Sequence, residues 1–311
     1  MTEAALLEAV ATLARRAGEV IMALYARDID IAVRNKHDTS PVTIADEQAE
    51  ALILAGLSQL TPDLPVISEE AAAAGHLPPV EGRQRFWLVD PLDGTKEFLQ
   101  RNGEFTVNIA LIERCREHCR PILGVVYAPA LGSRGRLFGG LLHEPQETGT
   151  TGTTGTTDTT GTAWLEDDTG RRPIRCRPAP TAGLTIVTSR SHGDTAALDA
   201  FLAERKIPVA ALIPAGSSLK LCLIAAGEAD LYPRLGRTME WDIAAGHAVL
   251  SAAGGRVTTL DGDELRYAKP GLDNPHFIAR GLTEKAPGQT FPGHQPAPLN
   301  RAEPSPPPRR H

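Results

Sequence analysis

Two carboxylates and a hydroxyl fall on one short stretch directly after an apolar run, in Phe86-Trp87-Leu88-Val89-Asp90-Pro91-Leu92-Asp93-Gly94-Thr95. Pro91 has no amide to give to a strand ladder and Gly94 frees the backbone, so the pattern predicts a sharp turn that brings Asp90 and Asp93 to one side. Clustered carboxylate oxygens are what a hard divalent ion such as Mg2+ selects. The same stretch predicts a short helix beginning near Thr95 and capped by Asp93, with the unpaired amides of Gly94 and Thr95 pointing at an anion. Metal and phosphate would then share one turn. Further acidic residues, Asp46, Glu69 and Asp242, recur where strands end or helices begin. Each alone reads as a cap or a turn residue. Together they could converge on two or three Mg2+ ions, and paired metals can clamp the attacking and leaving oxygens of a phosphoryl transfer.

The elements that must position these residues follow from periodicity. Leu6, Val10, Leu13, Ala17, Val20, Ile21 and Leu24 predict an amphipathic helix over 2–25. An extended piece, Ile29 to Asn35, and the polar segment Lys36 to Pro41 lead to a helix over 42–60 that carries Asp46 inward in its first turns. Pro65-Val66-Ile67-Ser68 predicts a short strand ending at Glu69-Glu70, followed by a surface loop over 71–84. Runs at 106–113, 121–128 and 135–142 predict an antiparallel meander. The Thr/Gly-rich segment 147–162 has nothing apolar to bury and predicts a disordered insertion between two strands. A strand at 184–187, a helix at 194–205, a strand at 208–213 and helices at 217–227 and 242–253 alternate as an α/β unit, the last ended by Gly254-Gly255. Beyond about residue 281 the chain turns Pro-rich and predicts a disordered tail.

The 311 residues suffice for two closely packed domains, 1–180 and 181–281, followed by the tail 282–311. A formal charge of -6 argues against a protein that coats nucleic acid or an anionic membrane. With no signal-like N-terminus and no apolar run near bilayer length, a cytoplasmic location is expected, peripheral contact with the cytoplasmic face of the inner membrane remaining open. Four cysteines make no disulfide framework, and Cys115 and Cys119 lack the companions of a zinc site, so reduced thiols are expected.

Asp46 within Pro41-Val42-Thr43-Ile44-Ala45-Asp46, Ser68-Glu69-Glu70, Asp90-Pro91-Leu92-Asp93-Gly94-Thr95 and Trp241-Asp242 together resemble, in order, the motifs of the inositol monophosphatase superfamily. Within it, Lys36 to Asp46, Gly216 to Lys220 and Ala229 to Arg234 most resemble the 3'(2'),5'-bisphosphate nucleotidase branch known as CysQ. The resemblance implies an α/β (α+β) layered αβαβα sandwich. It further implies that Glu69, Asp90, Asp93, Asp242 and the carbonyl of Leu92 bind Mg2+, and that Asp46 and Thr95, with Glu69 close by, orient the attacking water. The amides of Gly94 and Thr95 would hold the scissile phosphate.

Substrate choice is carried, on the same resemblance, by Lys36, Ser189 within Ser189-Arg190-Ser191-His192, Lys220 within Ser217-Ser218-Leu219-Lys220, Glu240 and Asp242. Lys220 near a helix start could meet a second phosphate. Without that context it reads as a solvated lysine, as do Lys36 and Arg237 among surface cations. His192 and His247 read as packing or surface residues, since an oxygen-rich site has no need of imidazole. The expected activity is release of the 3'-phosphate from adenosine 3',5'-bisphosphate or its sulfated relative, with lithium sensitivity. Inositol monophosphatase or sugar bisphosphatase activity is the neighbouring alternative, and a noncatalytic metal-dependent binding protein the alternative from another class. Oligomeric state is not legible.

Overall fold

The computed structural model describes residues 1–26, 41–115, 118–143, 161–190 and 195–282, with no side-chain description for 41–43. Lys36, the extended piece 29–35, His192, the insertion up to residue 160 and the tail beyond 282 lie outside the described residues.

Two helices open the chain, α1 (Glu3–Tyr25) and α2 (Pro41–Leu60), and Thr2 caps the first by accepting the amide of Ala5. Next come β1 (Val66–Ser68), α3 (Glu69–Ala73), β2 (Arg85–Asp93), α4 (Thr95–Leu99), β3 (Thr106–Cys115), β4 (His118–Ala128), β5 (Arg136–Leu142), β6 (Gly161–Asp167) and β7 (Gly170–Pro173). The remainder holds β8 (Leu184–Ser189), α5 (Thr195–Glu204), β9 (Val209–Ala215), α6 (Leu219–Ala225), β10 (Leu231–Arg234), α7 (Glu240–Ala252), β11 (Arg256–Thr259) and β12 (Phe277–Arg280).

β1 to β7 form a seven-stranded sheet in sequence order, antiparallel throughout except for the parallel β1–β2 pair. The other five strands form a second sheet in the order β11-β12-β10-β8-β9. Side-chain alternation along β2 sorts the layers. Trp87 and Val89 enter a core with α1 and α2, whereas Phe86 and Leu88 enter the core that holds α6, α7 and one face of the second sheet. The far face of that sheet packs Ile186, Leu231 and Ile278 against Phe201 and Leu202 of α5. The result is the αβαβα sandwich implied by the resemblance.

The helix α7 occupies the central layer and buries eleven of its 13 residues. Three strand glycines let it approach: a Cβ at Gly124 would meet the carbonyl oxygen of Ala245 at 2.3 Å, one at Gly140 would meet Cα of Val249 at 2.5 Å, and one at Gly161 would meet Cα of Ala252 at 2.6 Å. Helix backbone therefore rests directly on strand backbone.

Three expectations are corrected. Pro91 does not turn the chain: β2 continues to Asp93, and Pro91 sits in a register irregularity between Asp90 and Asp93. A bulge tolerates a residue without an amide, so the turn waits for Gly94 at φ 97°. Asp93 does not cap α4. Gly94 holds that position without any side-chain bond, while Asp93, paired with Thr106 at the end of the strand, accepts Nδ2 of Asn108 at 3.4 Å. The last residues of the expected insertion, Gly161 and Thr162, belong to β6 and pair with β5.

Candidate active site

A pocket of about 440 Å3 opens where the C-terminal end of β2, the start of α4, the loop before α6 and the first turn of α7 meet. Its wall includes Glu69, Asp90, Leu92, Asp93, Gly94, Thr95 and Asp242. Four carboxylates separated by up to 173 sequence positions therefore face one space. Glu69 stands at the start of α3 directly after β1, and the parallel pairing of Ser68 with Val89 sets it beside Asp90. Asp242 enters from the first turn of α7, where Oδ2 accepts the amide of Met239 at 2.9 Å.

Electrostatics report the crowding. Burial, then Glu69 and the other pocket carboxylates, raise Asp90 well above the ordinary range. Burial and Asp93 raise Glu69 to about 7, although a hydrogen bond with Asp90 opposes the shift. Burial and Asp93 raise Asp242 to about 7. Burial also raises Asp93, against the nearby ammonium of Lys220. Such shifts mark negative charge that lacks an opposite partner in a poorly solvated place.

Asp46 lies outside the wall itself but within reach of its field: it is buried, Oδ1 has no hydrogen-bond partner, and burial together with Glu70 and Glu69 raises it to about 8. Thr95 is exposed in the pocket at the first position of α4. The first amides of that helix have no acceptor within it.

A hard oxygen set with unneutralised charge fits Mg2+ in donor type and in sign. Among the described residues no three acidic, imidazole or thiol side chains are gathered tightly around one point, so the carboxylates stand as an open, mutually repelling set.

The same pocket also carries cations, with Lys220 near enough to Asp93 and Arg234 near enough to Asp242 to oppose their upward shifts. Lys220, Arg234 and Arg237 line it together with Ser189, Ser217 and Ser218. Lys220 is no solvated surface lysine: it is buried, its Nζ donates to the carbonyl of Ser217, and burial lowers it to about 8 despite the attraction of Asp93. Ser217 holds a left-handed φ of 44°, which bends the loop over the pocket. Ser218 ties that loop to α7 through the carbonyl of Asp242. Arg237 is largely exposed and paired with Asp273 at 2.7 Å.

Glu240 is placed elsewhere. It is fully buried, accepts the amides of Ala268 and Lys269 at 2.8 and 3.0 Å and the ammonium of Lys269 at 2.6 Å, and does not line the pocket. One residue of helix separates it from Asp242 by about 100° per step, which turns the two side chains to different faces. His247 is a packing residue whose Nδ1 meets the hydroxyl of Tyr267 at 2.8 Å. Arg190 is engaged by Glu104.

Sequence reasoning gave no site role to Asn108, Glu97 or Arg234, the last of which it had only within the Ala229 to Arg234 motif. Asn108 sits opposite Asp90 in the β2–β3 register, and its signal was a lone amide within the otherwise apolar run from Val107 to Ile112. Arg234 closes β10 and lines the pocket, but a four-residue strand gives too little pattern to orient it. Glu97 also faces the pocket from a helix too short to read.

The model of the inositol monophosphatase family matches residues 3–288 of this chain. The chain belongs to the inositol monophosphatase family. Within the family it is 44% identical over 273 residues to the 3'(2'),5'-bisphosphate nucleotidase CysQ of Escherichia coli (strain K12), covering 88% of this chain and 98% of that relative. The nucleotidase of the same name from Buchnera aphidicola is 41% identical over 280 residues, 89% and 94% of the two chains. Among solved structures, CysQ from Bacteroides thetaiotaomicron superposes with a TM-score of 0.69 at 34% identity, covering 89% of this chain and 97% of that one. A family inositol monophosphatase from Anabaena (Nostoc) sp. PCC 7120 shares the fold, with a TM-score of 0.64 at 23% identity and coverage of 90% and 92%. Among the described residues, no helix is long and apolar enough to cross a membrane.

Proposed function

We propose that this protein is a Mg2+-dependent phosphatase that hydrolyses the 3'-phosphate of adenosine 3',5'-bisphosphate, and of its 5'-phosphosulfate relative, to release adenosine 5'-phosphate or its sulfated form and inorganic phosphate in sulfur assimilation. The observation that carries the reading is one pocket with an acidic wall of Glu69, Asp90, Asp93 and Asp242 and, in the same lining, the cations Lys220, Arg234 and Arg237. A simple phosphomonoester needs only the first wall, whereas a second phosphate needs cations of its own. Identity of 44% to a nucleotidase over nearly its full length supports the same substrate class.

Glu69, Asp90, Asp93, Asp242 and the carbonyl of Leu92 would hold two or three Mg2+ ions. When bound, Mg2+ supplies charge neutralisation at the phosphate and lowers the pKa of water. Asp46, through its unpartnered Oδ1, and Thr95, through its hydroxyl, would align the attacking water and receive its proton. The amides at Gly94 and Thr95 would hold the equatorial oxygens of the phosphoryl group. Water oxygen would bond to phosphorus as the P–O3' bond breaks with its electron pair on O3', which takes a proton from solvent water, while Asp46 holds the proton given up by the attacking water. Lys220 and Ser189 would fix the distal phosphate. Lys36 completes the proposed substrate set from outside the described residues.

A substrate panel with purified protein and Mg2+ tests the assignment. The expected result is a kcat/KM for adenosine 3',5'-bisphosphate at least about a hundredfold above that for inositol 1-phosphate or a sugar bisphosphate, a discrimination that hydrogen-bonded recognition can supply. Preference for inositol 1-phosphate would move the protein to the sister activity. Tight nucleotide binding without turnover of any phosphoester would make it a noncatalytic binding protein. Inhibition of that turnover by Li+ is expected from the family resemblance.

A further inference from the structure

A second cavity, of about 940 Å3, lies at the opposite end of α7 and shares no lining residue with the pocket of Asp90. Arg120 of β4, Arg175, Arg256 of β11 and Arg280 of β12 line it, with Glu264 the lone acidic residue of the wall. Such a concentration of positive charge stands out in a chain whose formal charge is -6.

Nothing among the described residues neutralises it. None of the four guanidinium groups makes a hydrogen bond or an ion pair there. Nε of Arg120 is shielded from solvent without a partner, and Glu113, directly across the β3–β4 pair, is engaged by Arg85 at 2.6 Å. Arg256 and Arg280 stand exactly opposite each other in the antiparallel β11–β12 register. Like charges so placed weaken a sheet, and a shielded guanidinium group without an acceptor adds a desolvation penalty. Burial first, then Arg256, pull Arg280 below its ordinary range. Guanidinium forks match the oxygens of a phosphate or sulfate, and several converging on a recess define a small anion better than a flat surface does.

We propose that this cavity is a second anion site, separate from the phosphatase pocket, which takes a soluble oxyanion of the phosphate or sulfate class. Arg256 and Arg280, paired across the β11–β12 register, would supply its donors together with Arg120, whose Nε is shielded from solvent, and Arg175.

The test uses the full chain. Sulfate and, separately, inorganic phosphate are titrated by calorimetry at constant ionic strength, with wild type compared against Arg256→Gln/Arg280→Gln and against Lys220→Met. The expected result is a binding event that the double arginine variant weakens at least about tenfold, or 1.4 kcal/mol, and that Lys220→Met leaves in place. Turnover at low anion concentration is unchanged in the double variant. Folding is controlled by melting: the unliganded double variant melts no lower than wild type, because a like-charge pair has been removed, and sulfate raises the melting temperature of wild type alone. Equal binding by the double variant overturns the proposal. Loss of the event in Lys220→Met overturns it too, since the anion would then sit in the phosphatase pocket. So does a full chain that binds neither anion, whose own carboxylates would then meet the arginines, and so does capture by anionic phospholipid vesicles without any binding of sulfate.

Discussion

Glu104 holds Arg190 through both carboxylate oxygens, at 2.7 and 2.6 Å, and uses one of them again to accept the amide of Gly216 at 2.7 Å. The segment between α4 and β3 is thereby fastened to the ends of β8 and β9, and the loop carrying Ser217, Ser218 and Lys220 is set over the pocket. Glu104→Ala is expected to raise KM roughly fivefold with a smaller change in kcat, as expected when a positioning contact is lost. The pair is partly exposed, so the stability loss is small, about 1 kcal/mol. Steady-state kinetics separate this from a catalytic role, which would lower kcat instead.

Asp90→Asn keeps the shape of a fully enclosed side chain while removing one of the repelling charges. Turnover is expected to fall by about a thousandfold, because a proposed metal oxygen is replaced by an amide. The metal-free variant should melt at or above the wild-type temperature, since a buried carboxylate raised by Glu69 and Asp93 has been neutralised. Kinetics and calorimetry on one preparation check both halves. Full turnover would remove Asp90 from the metal set.

Protons and magnesium compete for the same carboxylates. The folded values of Asp46, near 8, and of Glu69 and Asp242, near 7, lie above the ordinary 3.8 to 4.5. The metal-free folded state therefore binds more protons than the unfolded chain across that window. Its stability from these groups is fully present below about pH 4 and is lost as pH rises through 7 to 8. Mg2+ should accordingly raise the melting temperature more at pH 8.5 than at pH 6, and EDTA should reverse it. A larger stabilisation at the lower pH would contradict the sign.

Glu240→Gln separates architecture from recognition. Its carboxylate holds Lys269 and two amides in full burial, so the substitution is expected to cost about 3 kcal/mol. KM for the nucleotide should stay within about twofold, because the side chain does not line the pocket. Denaturant unfolding and substrate kinetics check the two halves, and a tenfold rise in KM would return Glu240 to the substrate set.

Much of the fold was legible because its signals are local. The helical spacing from Leu6 to Leu24 and the β-rich runs of β3, β4 and β5 lie within a residue or three of the observed limits. Strands β7, β10, β11 and β12 are four residues each, too short for alternation to register, and their pairing depends on distant partners. The carboxylates were legible because each falls at an element end. The misplacement of Glu240 has a plain cause: adjacency in sequence to Asp242 says nothing about direction on a helix, and the ligand of Glu240, Lys269, lies 29 positions away. Lys220 could not be told from a surface lysine until the loop of Ser217 was seen to fold over it.

The bare seats at Gly124 and Gly140 make α7 a stiff spar. With main chain touching main chain, there is no pliable methylene layer to absorb a nudge, so the helix can shift only as a whole. Crowding either seat with even a methyl group would carry Asp242 out of line from afar, and such a lesion would resemble an active-site defect while touching no acidic residue.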